Sequence, residues 1–343
     1  MTQPGWEPPA TPPSQQWGPP PQPQWPAPEG WAPPSPPSTT PTEPTGYHQF
    51  WRAPGIAPWR PIIASVIIAV AFVVISLIVT TVAMMIEVAT GAISPDDLDT
   101  ILLDGKVTPG MVLGNSIAIG LLVPTVLLVA LLLKQRPRFL HSVTGRFRWA
   151  WFGLCSLASL LVLGAATGID ILRTGLSELD LQIHPYTWWL LIGLMLVTPF
   201  QAAAEEYMFR GVLLRTVGSW FRQPVVALAV GTLVNALIFM SIHGADDIWL
   251  NIFYVVLGAL LSYLTWRTGG IEAAAAVHIV NNMLGFAFIP FQDVTGVFDR
   301  SAGVGGPFIL WQILAMAILA GGIVALARRR NIERVGPPEA VAR

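Results

Sequence analysis

Apolar stretches long enough to cross a lipid bilayer recur along this chain from Pro61 onward. A membrane-spanning helix needs about 20 such residues, because the hydrocarbon core is about 30 Å thick and a helix rises about 1.5 Å per residue. Hydropathy predicts eight spans, near residues 61–86, 110–133, 149–170, 187–209, 224–242, 248–266, 271–290 and 308–327. Only 11% of the 343 residues are charged, against about 25% in soluble domains. The sequence therefore predicts an all-α polytopic membrane protein with about eight transmembrane helices.

The loops between the predicted spans alternate between acidic and basic. The loop after the first span contains Asp96 and Asp97, whereas the loop after the second contains Lys134, Arg136 and Arg138. Lysine and arginine collect in cytoplasmic loops. We therefore predict a multi-pass protein of the cell (plasma) membrane with both termini in the cytoplasm, and the alternation also supports an even number of spans.

The two ends of the chain differ from its apolar middle. Residues 1–55 are rich in proline and tryptophan, and runs such as Pro19-Pro20-Pro21 favour extended polyproline II over a packed core. We interpret residues 1–55 as a disordered cytoplasmic tail; the alternative is a tail that binds a protein partner through an aromatic groove. The helical membrane domain is predicted at residues 56–330, with a short cytoplasmic tail at 331–343.

Charge and cysteine content exclude two classes of function. The formal net charge is −1, and no basic patch outside the short loops offers the electrostatic footprint of a nucleic-acid-binding protein. Cys155 is the single cysteine and lies in an apolar segment. Disulfides and cysteine-ligated metal centres are therefore excluded.

The fourth predicted span contains Glu205, Glu206 and Arg210 among apolar neighbours. Charged groups at membrane depth are costly and usually face a partner or a wet cavity. Glu206 and Arg210 are spaced i,i+4 on one helical face, which predicts an internal ion pair. Glu205 points about 100° away around the helix. It has no partner in its own turn, so it is a candidate for accepting a proton from water.

Polar residues also interrupt the fifth and seventh spans. His243 closes the fifth span, and His278 and Asn282 share one face of the seventh at i,i+4 spacing. Each has an ordinary structural alternative: His243 as an interfacial helix-end residue, and the other two as interhelical hydrogen-bonding groups worth about 1 kcal/mol or less. Combined with Glu205, two imidazoles and an amide can polarise water and stabilise an oxyanion. The combination predicts a hydrolytic site inside the membrane.

The order of the three motifs resembles that of the CPBP family, which includes the type II CAAX prenyl endopeptidases and the bacterial Abi, or bacteriocin-immunity-like, proteins. Here Glu-Glu-x-x-x-Arg begins at Glu205, Phe-x-x-x-His ends at His243, and His-x-x-x-Asn begins at His278. The resemblance covers roughly residues 187–290. It implies an eight-helix intramembrane endopeptidase that hydrolyses a peptide bond of a membrane-associated protein or peptide.

The resemblance also implies a role for each motif residue. Glu205 and His243 would activate the attacking water, His278 and Asn282 would stabilise the oxyanion, and the ion pair of the fourth span would support them. Zinc stays an open alternative, because Glu205, His243 and His278 can ligate Zn²⁺ and leave a position for water. A metal-independent mechanism is favoured, because no acidic residue is spare to act as a base beside a metal-bound Glu205.

Two further classes of function remain open. A non-catalytic protein, either an ion- or proton-coupled transporter or a bacteriocin self-immunity factor, would use the buried charges without hydrolysis. Transporters tend to contain repeated halves, whereas the charged motifs here are confined to the second half. The other class is an inactive scaffold that recruits partners through its tail. The tail composition and short loops are typical of a bacterial protein, in which the substrate would be a peptide precursor, a signalling peptide or a membrane regulator instead of a prenylated protein. The expected partners are the lipid bilayer and a membrane-associated protein or peptide substrate.

Overall fold

The computed structural model describes residues 37–336, which form a bundle of helices without β-strands. Within this range, eight helices are long and apolar enough to cross a membrane. They are Trp59–Ala89 (α1), Pro109–Leu132 (α2), Trp149–Thr174 (α3), Thr187–Gly218 (α4), Pro224–His243 (α5), Ile248–Thr268 (α6), Glu272–Phe291 (α7) and Ile309–Arg329 (α8). The predicted fold class and the number of spans are confirmed.

Helix α7 lies inside the bundle, where it packs against α3, α4 and α6. Its first turns contain four consecutive alanines, residues 273–276, which are all buried. Small side chains let neighbouring helices approach closely in a membrane. Helix α5 packs against α6 and against the last turns of α4. The helices that carry the three motifs therefore meet in one region of the bundle.

Helix α1 lies at the edge of the bundle and presents apolar side chains outward. Val70, Val73 and Leu77 are 57%, 62% and 68% exposed, and the span as a whole is hardly buried in the protein. An apolar surface of this extent is unusual for a protein surrounded by water. It suits a helix whose outer face contacts lipid.

Helix α4 is longer than hydropathy predicts, because it continues to Gly218 instead of ending near residue 209. Its middle section, Tyr207–Leu213, is a π-helix in which the Leu214 N–H donates to the Phe209 carbonyl, five residues earlier. The side chain amide of Asn235 on α5 donates to the same carbonyl. The polar residues that lower the hydropathy of this section are buried in protein, so they do not end the helix. Glu205 consequently lies well inside α4.

Residues 37–55 fold onto the bundle, although the sequence analysis assigned them to a disordered tail. Tyr47, Phe50 and Trp51 are at most 3% exposed, and Trp51 Nε1 donates to Gln135 Oε1 at 3.1 Å. The Tyr47 hydroxyl donates to the Leu140 carbonyl. Composition did not predict this packing, because the surface that buries these rings comes from distant parts of the chain. The tail prediction for residues 1–36 lies outside the described residues.

Arg215 of α4 is the centre of this packing. Its guanidinium carbon lies 3.6 Å from the ring centroid of Tyr47, 5.3 Å from that of Phe50 and 5.8 Å from that of Trp51. Its Nη2 donates to the Phe139 carbonyl at 2.6 Å. Cation–π contacts of this kind stabilise a desolvated guanidinium by about 2 kcal/mol. The N-terminal segment therefore provides the environment that lets Arg215 be fully buried.

The two ends of the described chain lie side by side. The Gly336 N–H donates to the Thr45 carbonyl at 2.9 Å, and Gly46 and Val335 form an isolated antiparallel bridge. Both ends are thus on the same side of the bundle, as an even number of crossings requires. Ile332 also packs against the core, so the predicted C-terminal tail is packed through residue 336. Residues 337–343 lie outside the described part.

The packing of Arg215 on Tyr47 predicts a difference between two substitutions. Tyr47→Phe keeps the ring and loses one hydrogen bond, so we expect a loss of about 1 kcal/mol. Tyr47→Leu also removes the aromatic face from a buried cation, and we expect a loss of about 2–4 kcal/mol. Thermal unfolding midpoints of the detergent-solubilised variants measure both effects. Equal losses for the two variants would show that the ring face does not stabilise Arg215.

Candidate active site

Glu206 is the centre of a buried polar network that joins three helices. Arg210 Nη1 donates to Glu206 Oε1 at 2.9 Å, and His278 Nδ1 lies 2.7 Å from the same oxygen. Arg210 Nη2 donates to the Gly258 carbonyl of α6 at 3.1 Å. Glu206 and Arg210 are both fully buried, so the predicted ion pair is confirmed. His278 of α7 is an additional partner that the i,i+4 spacing did not predict.

The contact with Glu206 determines how the His278 ring is oriented. A carboxylate oxygen can only accept a hydrogen bond, so Nδ1 of His278 must be the donor. The other ring nitrogen, Nε2, then faces Glu205, whose Oε2 lies 3.7 Å away. Glu206 therefore fixes which nitrogen of His278 is available to a reactant, as carboxylate partners of histidine commonly do.

Glu205 lies beside this network and is only 6% exposed. Its Oε1 accepts a hydrogen bond from Nε2 of Gln201, one helical turn earlier. No described residue hydrogen bonds to its Oε2. The 3.7 Å between Oε2 and His278 Nε2 is too long for a direct hydrogen bond, but one water molecule can bond to both atoms.

Gln201 links Glu205 to Asn282. While its Nε2 donates to Glu205, its Oε1 accepts from Asn282 Nδ2 at 3.2 Å. Asn281 Nδ2 in turn donates to Asn282 Oδ1 at 3.0 Å, which fixes the orientation of the Asn282 amide. Gln201 was not among the predicted site residues. The signal was available, because Gln201 precedes Glu205 at the same i,i+4 spacing that identified the ion pair.

His243 is held at the end of α5 by contacts with its own helix and with α6. Its Nδ1 donates to the Phe239 carbonyl at 2.7 Å, and its ring stacks on Tyr254 with centroids 3.9 Å apart and planes 24° apart. The buried Phe239 ring lies 4.6 Å from the His243 ring and 6.0 Å from the His278 ring. These contacts leave Nε2 as the free ring nitrogen of His243.

The four predicted catalytic residues are therefore not equally close. Glu205 and His278 face each other directly, and Asn282 reaches Glu205 through Gln201. His243 bonds within its own helix and forms no hydrogen bond with Glu205 or His278 among the described residues. Glu205, His278 and Asn282 thus form one connected group on α4 and α7, and His243 on α5 lies apart from it.

A loop between α7 and α8 packs on the end of α5 next to His243. Arg300 Nη1 donates to the His243 carbonyl at 3.0 Å, and its guanidinium lies 6.0 Å from the Tyr254 ring centroid. Asp247 anchors the same loop by accepting from the Gly303 N–H at 2.9 Å. Hydrogen bonds from backbone amides, that of Leu250 first, lower the pKa of Asp247. This carboxylate therefore stays ionised at neutral pH and keeps the loop in place.

The candidate zinc ligands do not form a ligand set in this arrangement. Among residues 37–336, no three histidine, cysteine, aspartate or glutamate side chains are gathered closely enough to hold a metal ion. Glu205 and His278 are near each other, but His243 does not complete a cluster with them. The described side chains are thus not gathered as zinc ligands, and no step proposed below involves a metal.

Comparisons with known proteins assign a family to this region. Residues 186–284 match the family model described as Type II CAAX prenyl endopeptidase Rce1-like. The match spans α4, α5, α6 and most of α7, which include all three motifs. The resemblance inferred from these motifs is confirmed over this segment, and the chain contains an Rce1-like domain.

A protein from Bacillus subtilis (strain 168), described as "Uncharacterized protein YyaK", is 29% identical to this chain over 176 residues. The aligned region is 48% of this chain and 56% of the relative, so the chain spans little more than half the length of that curated protein. No solved structure matches the chain.

The buried pair of Glu206 and Arg210 should be more sensitive to losing one partner than to losing both. Arg210→Met leaves a buried carboxylate and Glu206→Leu a buried guanidinium, and we expect each to cost about 3–5 kcal/mol. The double variant, with Glu206→Leu and Arg210→Met, should be more stable than Glu206→Leu alone. His278 loses its hydrogen-bond acceptor in both variants, but only Glu206→Leu keeps the unpaired Arg210 cation. Thermal unfolding and the yield of monodisperse protein measure this. Additive losses would contradict it.

Proposed function

We propose that this protein is a CAAX-type intramembrane endopeptidase in which Glu205 activates water to attack a peptide bond of a membrane-associated protein or peptide. One observation supports this most: Glu205 Oε2 is buried, free of hydrogen bonds from described residues, and 3.7 Å from His278 Nε2. It lies inside the segment that matches an endopeptidase family. A buried carboxylate with an unbonded oxygen is a candidate general base, because it can remove a proton from a water molecule within hydrogen-bond reach.

In the first proposed step, a water molecule donates a hydrogen bond to Glu205 Oε2 and attacks the carbonyl carbon of the scissile peptide bond. Glu205 accepts one proton of this water as the new C–O bond forms, and the carbonyl π electrons move to oxygen. His243 assists by accepting a hydrogen bond from the same water at Nε2, because its Nδ1 is occupied by the Phe239 carbonyl. General base catalysis of this kind contributes about 10²–10⁴-fold in rate.

The oxyanion formed in this step needs hydrogen-bond donors. We assign this role to His278 and Asn282. His278 can donate from Nε2 in the form in which both ring nitrogens carry protons, while its Nδ1 donates to Glu206. Asn282 uses one N–H for Gln201 and keeps a second N–H for the substrate. Preorganised donors of this kind contribute about 3–4 kcal/mol each to acyl transfer.

In the second proposed step, the tetrahedral intermediate collapses. The proton held by Glu205 passes to the amide nitrogen, the C–N bond breaks, and the carbonyl double bond is restored. The products are a carboxylic acid and an amine, and Glu205 returns to its ionised form. Water supplies the OH group that the carboxylic acid gains and the hydrogen that the amine gains, so the cycle consumes no other reactant.

We further propose that the protein resides in the cell membrane with both termini in the cytoplasm. The alternation of acidic and basic loops supports this orientation, and the adjacency of Gly46 and Val335 is compatible with it. The substrate would enter from the bilayer, since the site lies between membrane-length helices.

Replacing the proposed base tests the function directly. We expect Glu205→Gln to lower proteolysis about 100-fold or more, while the protein still inserts and folds, because the amide keeps the shape and can still accept from Gln201. Comparative proteomics of membrane fractions from cells that express the wild type or Glu205→Gln measures proteolysis. Its products are new peptide termini that depend on Glu205. The matched control is Glu178→Gln, because it makes the same chemical change at an exposed residue between α3 and α4. Termini that persist in Glu205→Gln cells would rule out Glu205 as the base.

Gln201 should act by positioning Glu205. We expect Gln201→Leu to lower kcat by about 10–100-fold, the effect usual for a residue that orients a reactive group, with little change in KM. A peptide that spans a cleavage site found by the proteomic comparison serves as substrate. The control is Gln223→Leu, an exposed residue between α4 and α5. A higher KM with unchanged kcat would mean that Gln201 contacts substrate instead.

A further inference from the structure

A cavity of about 600 Å³ lies where α6 and α8 end, and it shares no residue with the candidate active site. Arg267, Arg328 and Arg334 line it, together with Val324 and Ala327. Three cationic side chains and an apolar wall therefore surround one space.

These arginines differ from the fully buried arginines of the bundle: Arg328 and Arg334 are exposed and Arg267 is half-buried. Arg210 and Arg148 each form an ion pair with a glutamate, whereas none of the three cavity arginines forms an ion pair or a side-chain hydrogen bond with any residue in the range 37–336. The Nε atom of Arg267 is fully buried and has no hydrogen-bond partner there. A buried N–H without a hydrogen-bond partner is costly, and three arginines without an anionic partner around one cavity suit an anionic ligand.

The backbone holds this part of the chain against the end of α6. Gly269 ends α6 with φ +64°, and a Cβ at this position would lie 2.4 Å from the carbonyl oxygen of Glu333. The same carbonyl accepts from Arg148 Nη1 at 3.3 Å, and the Ile332 N–H donates to the Ala327 carbonyl at 3.0 Å. Arg334 is thus carried by an anchored segment, so its position at the cavity does not depend on a ligand.

The charge around the cavity is positive after its negative neighbours are counted. Helices α6 and α8 both end here, and each C-terminus carries about half a negative charge. No carboxylate is among the residues that line the cavity, and the three arginines outweigh the two helix ends, so the cavity favours an anion.

Aromatic residues indicate the depth of the cavity in the membrane. Tyr263 and Trp266, on the last turns of α6, have ring centroids 5.8 Å apart, and Arg267 lies 5.2 Å from the Trp266 centroid. Tyrosine and tryptophan collect at the level of the lipid headgroups. Guanidinium groups match the geometry of phosphate oxygens, and Val324 and Ala327 can contact the apolar part of a lipid.

We propose that this cavity binds a phosphate group, supplied by the headgroup of an anionic phospholipid. Basic pockets between membrane helices are a common form of lipid recognition, and the interfacial depth favours a lipid over free phosphate. The proposal does not depend on the proteolytic function.

Binding to the detergent-solubilised full chain tests the proposal, with native mass spectrometry as the readout. The probes are short-chain phosphatidylglycerol, short-chain phosphatidylcholine and inorganic phosphate. We expect saturable binding of phosphatidylglycerol, weakened about tenfold in Arg267→Gln and in Arg334→Gln, as for the loss of one charge-assisted hydrogen bond. Arg330→Gln, in the same basic run but outside the cavity, should bind like the wild type.

Three outcomes would overturn the proposal: no saturable binding, equal binding of phosphatidylcholine, or an equal loss in Arg330→Gln. If inorganic phosphate binds as tightly as phosphatidylglycerol, the cavity is a site for free phosphate. The proposal that a lipid headgroup supplies the phosphate would then be wrong. If Arg267→Gln does not fold, the exposed Arg334 provides the test. A thermal unfolding midpoint without lipid confirms that each variant is folded.

Discussion

The Glu206 carboxylate, buried between Arg210 and His278, is the interaction on which the arrangement of the site depends. It neutralises the Arg210 cation, which would otherwise be costly to bury inside a bundle of membrane-length helices. Through one oxygen, Oε1, it also joins α4 to α7. The same contact determines which nitrogen of His278 faces Glu205. The Glu206 carboxylate therefore has two roles: it stabilises the bundle, and it orients the His278 ring that is proposed to stabilise an oxyanion. A substitution of Glu206 affects both roles together.

The π-helical section of α4 explains how this network fits inside one helix. Tyr207–Leu213 follows directly after the two glutamates and contains Arg210. Wider turns of this kind often occur at functional sites, and here Asn235 satisfies the Phe209 carbonyl within the section. Phe239, buried against the rings of both histidines, packs the same region from α5. The irregular backbone is thus supported by polar and aromatic contacts from a neighbouring helix.

Both ends of the described chain converge near the last turns of α4 and the ends of α6 and α8. The aromatic residues of the N-terminal segment enclose Arg215, which lies on the same helix as Glu205. The C-terminal segment pairs with Gly46 and carries Arg334 to the basic cavity. The segments outside the membrane helices therefore support the helix that holds the proposed base and also line the proposed lipid site.

The helical class, the eight spans, the ion pair of Glu206 and Arg210 and the motif residues can all be predicted from the sequence, because a bilayer restricts spans to about 20 apolar residues and makes buried charges conspicuous. Three features emerge only in the folded bundle: Gln201 joins Glu205 to Asn282, Glu206 also binds His278, and residues 37–55 are packed. These depend on which residues from distant helices approach each other. Local periodicity reports the face on which a side chain lies, but the partner it meets there is set by how the helices pack.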